Sequence, residues 1–103
     1  MTRIFRLRTS REVRAVLQEG FATRGPLFVV RSRHGGEAAR VAVVASKKRV
    51  GNAVRRNRVR RRLRAAAGEA GLPNGDYVFI ASASVLDAPF GQLVQAARRL
   101  TPR

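Results

Sequence analysis

Residues 49–64, RVGNAVRRNRVRRRLR, place eight arginines in sixteen positions, threaded by Val50, Ala53, Val54, Val59 and Leu63. That apolar thread separates the stretch from a disordered basic tail. Side chains on a helix turn through about 100° per residue. Asn57, Arg60, Arg61 and Arg64 then share one arc of about 100°. Val59, Leu63, Ala66 and Ala67 share another arc, at the spacing of a core-facing stripe. One face docks on a core, and the other is an array of guanidinium groups. A polyanion with planar, bidentate acceptors matches that array, and phosphate matches it best.

The rest of the chain reinforces this reading. It has 22 Lys and Arg against 6 Asp and Glu, a net charge of +16 on 103 residues. Such a field attracts nucleic acid from beyond contact distance. A merely solvated basic face would interleave glutamate at i,i+4, yet no acid lies between Glu37 and Glu69. The length suggests one domain over residues 1–103, with enough apolar residues for a single modest core. The absence of cysteine removes disulfides, thiol catalysis and Cys-zinc sites, and is compatible with a reducing cytoplasm. No apolar run approaches the roughly 18 residues of a membrane span. The N-terminal stretch MTRIFRLRTSREVRAVL is arginine-rich and acid-poor, as a transit peptide is. It runs directly into a helix signal, so a folded element is expected there instead.

Turn chemistry and periodicity divide the chain. Thr9 and Glu12 form a capping-box pattern, Val13, Val16 and Leu17 follow at helical spacing, and Gly20 stops the run. Residues 21–24 read as a brief strand before the Gly25-Pro26 turn. Residues 27–33 (LFVVRSR) and 40–46 (RVAVVAS) read as strands on either side of His34-Gly35-Gly36. Asn52 is the expected N-cap of the arginine helix, which fades near Gly68. Leu72-Pro73-Asn74-Gly75 is a turn, and residues 77–81 (YVFIA) a buried strand. Asp87 is expected to cap a last helix with Pro89 in its first turn and Leu93, Val94, Ala97 and Leu100 as its apolar face. The order α-β-β-β-α-β-α predicts an α+β fold, a small sheet with helices packed on it.

The run Ser46-Lys47-Lys48, Gly51-Asn52-Ala53-Val54, Arg56-Asn57-Arg58-Val59-Arg60-Arg61 and Leu63-Arg64 resembles the "RNR" signature of the bacterial ribonuclease P protein component. Arg6-Leu7 and the strand before Ser46 extend the resemblance over most of the chain. It implies an αβββαβα two-layer sandwich with a four-stranded sheet and an unusual left-handed crossover. It also implies a protein subunit without its own active site. In that family a catalytic RNA, using Mg²⁺ bound mainly by the RNA, removes the 5′ leader of precursor tRNA. By resemblance, Lys47, Lys48, Arg56, Asn57, Arg60, Arg61 and Arg64 would bind the RNA subunit. Val13, Leu17, Phe21, Arg31 and Ala53 would bind the leader, in a cleft between the first helix and the sheet. The implied setting is cytoplasmic, with the protein monomeric before it meets RNA.

Three departures stand out. The family's first-helix aromatics are replaced by Val13 and Leu17, and an aromatic of the following strand by Arg31, which can stack or bind phosphate. Arg49 is an extra residue between the lysine pair and Gly51. Ser82 stands where an arginine is common. The residues themselves offer no protein-borne nuclease. Glu12, Glu19, Glu37, Glu69, Asp76 and Asp87 are scattered, whereas two-metal hydrolysis needs clustered carboxylates. Glu12 reads as a cap, Asp76 as a turn residue, and Asp87 as a helix start. His34, the single histidine, sits in a glycine-rich turn. Two other readings are weighed: a small ribosomal protein, which composition alone permits, and a basic amphipathic membrane binder, which lacks a Trp or Phe wedge on the arginine helix.

Overall fold

The computed structural model describes residues 4–100, the side chain of Leu100 excepted. The strands are β1 (Ile4–Arg6), β2 (Phe21–Arg24), β3 (Phe28–His34), β4 (Ala39–Val44) and β5 (Gly75–Ala81), with β-branched runs in β3 and β4. The helices are α1 (Ser10–Glu19), α2 (Lys47–Val50), α3 (Ala53–Ala70) and α4 (Phe90–Leu100). One five-stranded sheet runs in the order β1-β4-β5-β3-β2. β1, β4 and β5 are parallel neighbours, and β3 and β2 continue antiparallel. β4 and β5 are joined by a crossover through α2 and α3.

The sheet therefore has five strands where four were expected. The extra one, β1, has three residues and no legible alternation. It exists because the open edge of β4 offers unpaired backbone groups, through the register Ile4↔Ala39, Phe5↔Arg40 and Arg6↔Val41. The N-terminal stretch is thus built into the fold from residue 4 onward.

The main core lies between one sheet face and α3 with α4. Phe28, Val30, Val41, Val43, Tyr77 and Phe79 meet Val59, Leu63, Ala66, Ala67, Leu93 and Ala97 there. The alanines let α3 approach the strands closely, and Phe28 and Phe79 pack as a tilted ring pair 5.1 Å apart. The helix does not fade at Gly68. It continues to Ala70 because Ala66, Ala67 and Ala70 are still buried, and Gly71 ends it in the left-handed conformation. Asn52 caps it as expected, its side chain accepting from the Arg55 amide at 3.0 Å. Asp87 does not cap α4. It closes a 3₁₀ turn, Ala83–Leu86, and the Gln92 and Leu93 amides of α4 bond to the Pro89 carbonyl. Leu93, Val94 and Ala97 form the expected apolar face, while the Leu100 side chain lies outside the described residues.

Helix α1 lies on the other sheet face. Its capping box is present: Thr9 Oγ1 accepts from the Glu12 amide at 3.1 Å, and the Thr9 amide donates to Glu12 Oε1 at 3.2 Å. Val16 is buried with Leu7, Ala42 and Val78. At Gly20 the chain grazes β3; a Cβ there would sit 2.6 Å from the Val16 carbonyl oxygen and 2.7 Å from that of Ser32. Glycine is required by that approach rather than by its dihedrals.

Candidate nucleic-acid interface

The fold sorts the arginines of α3 by function. Arg55 Nε donates to the Val50 carbonyl at 2.8 Å, which ties α2 to α3. Arg62 donates to the carbonyls of Val85, Leu86 and Ala88, holding the chain ahead of α4 against α3. These two side chains are structural. On the opposite flank Asn57, Arg60, Arg61 and Arg64 line, with Val54, a shallow depression of about 450 Å³. Arg60 donates to Asn57 Oδ1 at 3.4 Å. Among the described residues, no ion pair reaches Arg56, Arg58, Arg60, Arg61 or Arg64.

Two features set the arginines of this flank apart. The Nε atoms of Arg56 and Arg64 are buried with no hydrogen-bond partner in the protein. The Arg64 guanidinium is also held below its ordinary pKa, first by burial and then by the charges of Arg6 and Arg60. It stays charged regardless. Arg6, part of the sequence resemblance, was given no site role there. It reaches this face because β1 pairs with β4 and sets Arg6 beside Val41, on the α3 side. Lys47 and Lys48 are exposed on α2, which Ser46 caps by accepting from the Arg49 amide at 3.1 Å. α2 immediately precedes α3 in the chain.

The second candidate surface lies across the sheet. Glu12 pairs with Arg40 of β4, and Glu19 with Arg33 of β3 at 2.9 Å. Helix α1 thus runs across the strands. Asp76 of β5 lies in register between those arginines and bonds both, at 2.8 Å to Arg40 Nε and 3.1 Å to Arg33. Asp76 is therefore not a turn residue. It is the centre of a five-member chain of charges that clamps α1 to the sheet. Burial pushes its carboxyl up, but the hydrogen bonds from Arg40 and Arg33 prevail and hold it below its ordinary value. Glu12 is held low by Arg40 and then by the Thr9 amide, while Arg40 is pushed up by Asp76 and Glu12.

With Glu12 and Glu19 on one side of α1, Val13 and Leu17 fall on the other. They pack half-buried with Val44 and Ile80 around the Val16 cluster. Val13 and Leu17 also line, with Arg8, Thr9, Ser10 and Arg14, a depression of about 330 Å³. Arg31 lies one register row away, beside Val78, and donates to the Gly20 carbonyl at 3.2 Å. The structure therefore brings Val13, Leu17 and Arg31 onto one face. Phe21 does not join them. It pairs with Ser32, which pairs with Tyr77 of the main core, so strand alternation sends Phe21 to the opposite face. It is 73% exposed there. Ala53 is exposed in the first turn of α3, past the end of β4 that carries Val44.

Among the described residues, no three His, Cys, Asp or Glu side chains assemble where they could hold a metal ion. Glu12, Glu19 and Asp76 are each paired with arginine. No helix among the described residues is long and apolar enough to cross a membrane.

Comparison with known proteins agrees with this geometry. The Ribonuclease P family matches residues 1–103. The ribonuclease P protein component of Brucella suis is 40% identical, covering 97% of this chain and 80% of that protein. That of Bartonella quintana is 39% identical over 84% of this chain and 74% of the relative. The RNase P protein from Thermotoga maritima superimposes with a TM-score of 0.76 at 27% identity, covering 94% of this chain and 98% of its own. The Staphylococcus aureus protein, at 22% identity, shares the fold with a TM-score of 0.77. A helix that sorts its arginines into structural and open sets, on a fold matched along nearly its whole length, leads to one conclusion: this chain belongs to the ribonuclease P protein family.

Proposed function

We propose that this chain acts as the protein subunit of a ribonuclease P ribonucleoprotein, in the cytoplasm, joining a catalytic RNA as a monomer. The observation that carries the reading is the open flank of α3, where Asn57, Arg60, Arg61 and Arg64 surround one depression without an acid partner. Lys47, Lys48 and Arg56 extend that surface. Guanidinium forks on phosphate fix orientation on an RNA backbone without reading sequence. The hydrolytic chemistry is assigned to the RNA and its Mg²⁺.

The cleft beside α1 would take the single-stranded 5′ leader of precursor tRNA. Val13 and Leu17 offer apolar contact in place of aromatic stacking, and Arg31 offers a cation. Bringing two RNAs together crowds phosphates, and a body of charge +16 offsets part of that repulsion by counterion release. The protein is therefore expected to lower the Mg²⁺ requirement and to favour precursor over mature tRNA. The test is cleavage of a leader-bearing precursor by the cognate RNA at low Mg²⁺, with and without the protein. Protein-dependent cleavage at the mature 5′ end supports the reading. Failure with a folded protein and an RNA active at high Mg²⁺ would reject it. Equal strengthening of precursor and mature tRNA binding would reject the leader half alone.

A further inference from the structure

An exposed aromatic at the start of α4 has no part in either surface described so far. Phe90 is 40% exposed. With Arg58, Arg61, Arg62 and Ala65 it lines a depression of about 360 Å³ between α3 and α4. Arg61 also borders the depression that holds Arg60 and Arg64, so it forms the ridge between the two. Arg62 is occupied. It donates to the Leu86 carbonyl at 3.0 Å and the Ala88 carbonyl at 2.6 Å, fixing the chain that delivers Phe90. The ring is thus placed beside α3 before any ligand arrives. Arg58 and Arg61 are exposed, and among the described residues neither joins an ion pair. An aromatic face flanked by two open guanidiniums matches one class of ligand. An unpaired nucleotide stacks its base on the ring and leaves its phosphates to the arginines.

We propose that Phe90 is a stacking site for one unpaired nucleotide of the ribonuclease P RNA, with Arg58 and Arg61 holding the phosphates on either side. This rests on the RNA-binding reading above and widens the interface from α3 onto α4. Charge favours RNA over a second copy of the chain, since two copies meeting here would set Arg58 and Arg61 against like charges.

The test measures binding of the whole protein to its cognate RNA across a salt series, for Phe90→Leu, Phe90→Tyr and Arg61→Ala beside the wild type. Phe90→Leu preserves apolar bulk, and a thermal melt verifies that it folds. Loss of the ring should weaken binding by roughly five- to a hundredfold at every salt concentration, leaving the salt slope unchanged. Phe90→Tyr should bind as the wild type does. Chemical probing should show a nucleotide protected by the wild type that becomes reactive with Phe90→Leu. Wild-type affinity for Phe90→Leu, with Arg61→Ala weakened, would overturn the stacking site and leave the RNA-binding reading standing. Wild-type affinity for both would overturn both. A concentration-dependent dimer of the free protein that Phe90→Leu abolishes would instead assign the ring to self-association and reject the proposal.

Discussion

Two arginines on one helix should fail in opposite ways. Arg62→Ala removes a guanidinium that donates to three backbone carbonyls between α3 and α4. Charge-assisted hydrogen bonds contribute about 1.5–3 kcal/mol each when well shielded. The Arg62 side chain is half-exposed, so about 2–3 kcal/mol in total is a fitting estimate after solvent screening. For a domain near this size, each kcal/mol moves the melting midpoint by about 4–8 °C. The expected fall is therefore about 10–20 °C, with the salt slope of RNA binding unchanged once the protein is folded. Arg61→Ala should do the reverse. Its side chain is exposed and carries no structural bond among the described residues, so the midpoint should stay within about 2 °C. Its RNA affinity should drop, and the slope of log affinity against log salt should shrink by about 0.9 for one lost phosphate. A fourfold rise in salt then shrinks the mutant's defect by about 3.5-fold. Paired thermal melts and salt-dependent binding read both quantities. Equal melting losses for the two variants, or equal slope losses, would refute the division of the helix into structural and RNA-facing arginines.

Leu63→Ala should destabilise the fold by about 2–5 kcal/mol, because Leu63 is 0% exposed between α3 and the sheet; a denaturant melt near wild type would contradict the packing. Asp76→Asn should flatten the acid limb of stability. The carboxyls of Asp76 and Glu12 are held low, so their contribution is present above about pH 4 and fades as pH falls through the folded values. Parallel acid melts for mutant and wild type would exclude the charge network as the clamp on α1. Gly20→Ala forces a Cβ against backbone oxygens of α1 and β3. It should cost about 1–3 kcal/mol and reduce discrimination between precursor and mature tRNA. Undiminished discrimination would separate the cleft from the seating of α1.

The elements legible from sequence were those specified locally. The Thr9–Glu12 box, the Asn52 cap and the stripe Val59, Leu63, Ala66 and Ala67 depend on residues a few positions apart, and the structure has each of them. What sequence did not reveal depends on partners far along the chain. β1 exists only against β4, Arg6 reaches the arginine face only through that pairing, and Asp76 finds Arg33 and Arg40 only through register. Asp87 had the right chemistry for a cap, but it closes the 3₁₀ turn Ala83–Leu86, and α4 begins only at Phe90. The resemblance implied a place for Phe21 in the cleft, and strand alternation sends it to the other face. Composition alone also permitted a ribosomal protein; the family match removes that alternative.

The position of β5 has a consequence for how the chain comes to be folded. β4 and β3 follow one another in sequence but are not neighbours in the sheet; β5 stands between them. Until it arrives, the pairs β1-β4 and β3-β2 are separate fragments, and α3 has only part of its backing. A lone helix as crowded with arginine as α3 repels itself and is marginal at this length. Long-range strand insertion of this kind makes folding slow and cooperative, because loop closure precedes any reward. A polypeptide ending before residue 75 therefore holds the whole arginine signature yet lacks the strand that organises it. Completion of the sheet behind α3 waits on β5.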